Sequence, residues 1–282
     1  MNDSANSSLE ALVLGIPYVI LCFIFLPLYF MVIWVLSVNP IFEGSIFYRI
    51  LKHMAVANAM SLNSTFMGGL FELSQSTFSD FISITSGSLS SWFKVAICLL
   101  HILLSINRFS VVFGFHIPFE NDIHQYSIFL MWYALAVLLI MTPYLKLEFE
   151  YQLDRHWFKE PSELLEKPID HARHVVSFIY IIVILKYFCS KRPPPENTEE
   201  TEFSLRGFSQ CLALLIPHEV SSILQDLYKA KPNSSPWVQI ALVLSYRSSP
   251  ALVIVTVLYL NRDLRKSLLE LPHKAKKRFC GY

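Results

Sequence analysis

The side chains that invite a chemical reading are His101, His218, Glu219 and Arg247, with Asn58 and Arg108 beside them, because each stands in or at the edge of an otherwise apolar stretch. Ionisable groups in such surroundings cancel one another or serve a ligand, an ion or a switch. Glu219 and Arg247 carry opposite charges. Counted down from Tyr228 and Pro236 at 1.5 Å per residue, they lie about 14 and 16 Å deep, so an ion pair between consecutive helices is feasible. Such a pair would offset the cost of burying either charge; the competing role is to line a ligand cavity. His101, His218 and Asn58 have the same two readings, a packed hydrogen-bonded side chain or a pocket wall, with Trp92 and Phe93 near the rim of a cavity beside His101. Glu72 closes the outer end of the stretch that holds Asn58.

Reaction chemistry finds little purchase. His218-Glu219 opens like a zinc-protease helix, but Ser222 and Ile223 occupy the positions where the second histidine is needed. Asp170, His171 and His174 could share a metal, yet the same residues make an ordinary solvated loop end. No Gly-rich phosphate loop and no nucleophile elbow occurs. The chain is therefore not expected to be an enzyme, and no cofactor or metal is assigned.

What must position these groups is a set of membrane helices. Of 282 residues 54% are hydrophobic and 16% charged, and the mean hydropathy is +0.44; soluble chains carry about a quarter charged residues. The net charge of +1 gives no case for nucleic acid. A bilayer is crossed by about 20 apolar residues, and Glu10 and Glu43 bracket 32 without a charge. This first stretch is too long for a cleaved signal peptide and lacks the basic start of one. Further spans are read at 53–71, at 95–107 with an outward Ser-rich extension through 81–93, at 125–145, at 174–189, at 204–228 and at 236–260. Lys94 is expected to snorkel to the surface. The sixth span is the least apolar, holding Pro217, His218, Glu219 and Asp226; it crosses only if those groups face the interior of a bundle.

Seven spans put the termini on opposite sides. With the N-terminus outside, the inner segments 39–52, 108–124, 186–206 and 261–282 hold 14 Lys and Arg and the outer ones 7, the sense of the positive-inside rule. Sequons at Asn2 and Asn6 agree, as candidate glycosylation sites. Residues 1–260 form the membrane domain and 261–282 a cytoplasmic tail. In the tail Leu264, Leu268 and Leu271 share one helical face flanked by Arg262, Arg265 and Lys266, the layout of a short helix on the inner leaflet. Lys274, Lys276, Lys277 and Arg278 follow, attractive to anionic lipid, and Cys280 is a palmitoylation candidate or a free thiol.

An odd number of spans, an outer N-terminus and an amphipathic helix after the last span resemble a G-protein-coupled receptor. Asn107-Arg108-Phe109 at the end of span three resembles the Asp-Arg-Tyr of rhodopsin-like receptors. Together with Asn39-Pro40-Ile41-Phe42-Glu43-Gly44-Ser45-Ile46-Phe47-Tyr48-Arg49-Ile50-Leu51 at the entry to span two, it is similar to nematode serpentine chemoreceptors, in particular the Srg superfamily. The resemblance implies that Arg108 holds the resting state and then meets a heterotrimeric G protein, that a small external molecule is the ligand, and that the receptor sits in the plasma membrane, in a sensory cilium. Asn58 takes the place of the span-two Asp, so sodium coordination is not implied. Trp132 resembles the span-four Trp, Pro217 the span-six Pro, and Ser249-Pro250 the span-seven Asn-Pro. Asn107 in place of Asp removes a carboxylate beside Arg108, which implies a loosely held resting state. The usual disulfide from span three to the second outer loop cannot form, since 146–173 holds no Cys; that loop is held otherwise or is mobile. A seven-span channel or transporter is the alternative, and a divergent copy without function a third reading.

Overall fold

The structure, a computed structural model, describes residues 2–115, 120–142, 149, 151–152, 157–158, 174–186, 210–224, 227 and 235–270. Its helices are α1 (Asn2–Val38), α2 (Ile46–Ser74), α3 (Asp80–Phe113), α4 (Glu120–Met141), α5 (His174–Lys186), α6 (Gln210–Leu224), α7 (Pro236–Arg247), α8 (Ser249–Leu260) and α9 (262–270). By length and apolarity alone, three of the described helices can cross a bilayer: Leu9–Val38, Asp80–Phe113 and Asp122–Met141; α7 and α8 together make a fourth. On the orientation given by the charge bias, the face bearing α9 is the inner one.

The ends follow from local chemistry. Ser79 accepts a hydrogen bond from the Ile82 amide at the start of α3, satisfying one of the orphan donors there. Gln75, with φ of 50°, ends α2, and Gly114, with φ of 67°, ends α3. The whole Ser-rich stretch 81–93 is helical, so α3 runs unbroken for 34 residues.

The polar α2 has its explanation in packing. It is wrapped by α1, α3 and α8, and Asn58, Ser64, Thr65 and Glu72 are all buried within the bundle. Close approach to α1 is set at Gly69, where a Cβ would stand 2.9 Å from the Tyr18 Cβ and 3.0 Å from the Gly15 carbonyl oxygen. By contrast α1 turns Leu9, Ile16, Phe23, Phe30 and Trp34 outward, and α4 turns out Tyr126, Phe129 and Tyr133, as lipid contact requires.

The expected seventh span is broken. α7 and α8 meet at an angle of 44° across Ser248. Pro250 has no N–H to give the Tyr246 carbonyl and crowds it; the freed oxygen accepts instead from Ser221 Oγ of α6 at 3.3 Å. Tyr29 Oη of α1 donates to the Pro250 carbonyl at 2.6 Å, so the bend is pinned on both sides.

Lys94 Nζ lies 5.0 Å from the Tyr246 ring centre, against α7. Beside the helices, Tyr151–Gln152 pairs antiparallel with Trp157–Phe158 in a small hairpin on the outer side. The helix after the last span, α9, does more than lie on lipid. Asn261 Oδ1 caps it by accepting from the Leu264 amide, Leu264 is fully buried in the main core, and Asn39 Nδ2 donates to Ser267 Oγ at 3.1 Å. Leu268 packs partly against the core, whereas Leu269 is 76% exposed.

Candidate functional site

At the inner end of α3, Arg108 is 5% exposed. Its guanidinium carbon lies 4.9 Å from the centre of the Phe47 ring on α2, a cation–π contact. The same side chain stands beside the Cys211 thiol of α6 and near Tyr180 of α5. One guanidinium thus joins four helices, and its Nε is buried without a hydrogen-bond partner. Asn107, also buried, accepts at its carbonyl from Ser110 Oγ. Phe109 turns into a separate aromatic stack, 4.3 Å from Phe113 and 6.0 Å from Phe115 between ring centres, with Lys186 of α5 over Phe113 at 5.5 Å.

The α3–α6 seam continues upward in register. Seven residues along α3 from Arg108 is His101, and seven residues along α6 from Cys211 is His218; two turns, about 10.5 Å, separate the levels. The two imidazoles meet with ring centres 5.3 Å apart and planes at 75°. On α2, Asn58 is fully buried; its Nδ2 donates to the Met54 carbonyl, and its Oδ1 has no partner.

Nearer the outer face, Arg247 ends α7 just before the bend. Its Nη1 donates to Ser90 Oγ of α3 at 3.2 Å, and its Cζ is 5.7 Å from the neighbouring Tyr246 ring centre. Glu219 Oε1 is buried and accepts no hydrogen bond. A hydrogen bond of Arg247 thus runs to α3, which sequence depth alone did not show.

The outer loop is held without a disulfide. Phe149 is fully buried, with its backbone against Gly87 of α3. A Cβ at Gly87 would fall on the Phe149 carbonyl oxygen, so only glycine admits the strand there. The Tyr151 amide donates to Ser83 Oγ at 2.8 Å, and Tyr151 Oη donates to Glu72 Oε1 at 2.5 Å. Burial, reinforced by the Glu72 carboxylate, holds the Tyr151 phenol well above the usual tyrosine range. Trp92 packs on Phe149, with ring centres 6.0 Å apart, and donates to Thr142 Oγ1 at 3.0 Å. Trp92 is therefore buried beneath Phe149, and Phe93 is buried against Trp132 of α4, rather than either standing at an open rim. Trp132 joins α4 to α2 by donating to His53 Nδ1 at 3.0 Å.

Over residues 1–279 the chain matches the family described as serpentine type 7TM GPCR chemoreceptor Srt. The chain belongs to this family. No curated protein matches it. The match names Srt and does not single out the Srg superfamily that the motifs suggested; the broad class of nematode chemoreceptors is the same. The protein is thus a chemosensory receptor of the multi-pass membrane type.

Within this Srt receptor, sequence reading singled out Arg108, both histidines and Arg247. It did not tie Phe47 or Cys211 to Arg108, and Tyr180, with Phe149, Tyr151 and Gly87 of the outer latch, went unremarked. The one signal available for the latch was the run of small residues from Ser83 to Ser91, which lets another backbone approach α3. Asn2 and Asn6 fall in the first turns of α1. Cys280, the basic run 274–278, Leu271, Asp170 and His171 lie outside the described residues.

Proposed function

We propose that this Srt receptor detects a small external molecule at the plasma membrane of a sensory cilium and passes a helix rearrangement to a heterotrimeric G protein. The observation that supports this reading is the buried Arg108 on the inner face, where α2, α3, α5 and α6 converge on one guanidinium. A group shared by four helices changes partners when any of them moves, which suits a population shift between two bundle arrangements. With Asn107 in place of a carboxylate, the resting arrangement lacks one anionic partner in sequence, so basal activity is expected to be high.

Nucleotide exchange on purified G-protein heterotrimers, measured in membranes carrying the receptor, tests this. Exchange should exceed that of receptor-free membranes even without added ligand and fall to the receptor-free level in Arg108→Ala. Exchange no higher than in receptor-free membranes across a panel of heterotrimers and stimuli rules out the coupling. The bend between α7 and α8 favours a second reading as a channel or transporter, since broken helices line such pathways. Ligand-evoked current that persists in excised patches without guanine nucleotide would select that reading. Labelling of an N-terminal tag on intact cells checks orientation in either case.

A further inference from the structure

We propose that His101 and His218 form a two-imidazole site for a divalent transition-metal ion that bridges α3 and α6. Imidazole binds such ions through whichever ring nitrogen is unprotonated. His101 is 3% exposed, and neither of its ring nitrogens has a hydrogen-bond partner. A neutral imidazole buried in that state leaves a donor and an acceptor unmet, which native interiors rarely tolerate. The side chain across the seam is another imidazole, its ring centre 5.3 Å away. A metal–nitrogen bond of about 2.1 Å plus about 1.1 Å from nitrogen to ring centre places two imidazoles on one tetrahedral ion with centres about 5 Å apart. The observed spacing already matches, and only the ring rotations, which are soft about the last side-chain torsion, need adjust.

One further observation agrees. Glu219 follows His218, and its Oε1 is buried without a hydrogen-bond partner, so a carboxyl group is adjacent in sequence to the pair. Among the described residues no group of three or more His, Cys, Asp or Glu is assembled as a metal cluster. The site therefore has two protein ligands, and water completes the shell. That makes it an open, exchangeable site, unlike a four-ligand structural zinc. An ion there ties α3 to α6 two turns above Arg108 and so opposes their separation.

The test reads metal binding and not signalling, so its failure is distinct from failure of the receptor reading. Receptor purified without a histidine tag is titrated with Ni²⁺ by calorimetry, alone and as His101→Gln and His218→Gln. The wild type should bind one tight equivalent and melt at a higher temperature in its presence; each variant should bind at least tenfold more weakly and lose the shift. Electron paramagnetic resonance of one equivalent of Cu²⁺ on the wild type counts the coordinating nitrogens whether or not the variants fold. It should show two imidazoles. Binding equal in wild type and both variants, or a Cu²⁺ spectrum without that nitrogen pair, overturns the site and leaves water as the occupant between the rings.

Discussion

A guanidinium cannot shed its charge, so burying Arg108 obliges the surrounding helices to face it with π electrons, a thiol and a phenol. Tyr151 shows the opposite strategy: a neutral donor placed on a buried carboxylate. Its folded-state pKa is raised above the unfolded value of about 10. The phenol's contribution to stability is therefore complete below pH 10 and is lost as pH rises through the folded value. Tyr151→Phe should cost about 1–3 kcal/mol, because Glu72 loses that donor. Thermal melts should show the gap between wild type and variant persisting through pH 9 and closing only in strong alkali.

At the level of elements, two contacts decide shape. Gly87 admits the Phe149 backbone onto α3, and Gly87→Ala should cost about 1–3 kcal/mol by overpacking. Limited proteolysis should report it as faster cleavage between residues 149 and 158. Pro250 sets the bend between α7 and α8. In Pro250→Ala the restored amide can bond the Tyr246 carbonyl, displacing Ser221 Oγ, so the 44° bend should relax toward a straight span. Spin-label distances between the outer end of α7 and the inner end of α8 should lengthen accordingly.

For the molecule as a whole, α9 behaves as part of the bundle. Leu264→Ser places a hydroxyl in the main core and should cost about 2–4 kcal/mol. Leu269→Ser, at an exposed position, should change stability by less than about 0.5 kcal/mol; melting of the detergent-solubilised receptor distinguishes the two. Which segments are helical was legible from the spacing of charges, as at α1, because an uncharged run of bilayer length has few other fates. Arg108 stood out for the same reason. What stayed hidden were the partners. The alternation of Phe149 and Tyr151 lies in a loop rich in charge, and nothing in its composition says that it turns inward. The break after Arg247 was foreshadowed by Pro250, yet proline is common enough in membrane helices that a bend could not be read from it alone.

The outer latch rests on van der Waals fit at Gly87 and hydrogen bonds from Tyr151, and residues 146–173 hold no cysteine. Closing the loop over the bundle therefore demands no oxidant. A receptor built this way can finish its extracellular surface in a reducing lumen or a cell-free lysate, and millimolar reductant should leave its melting temperature where it was.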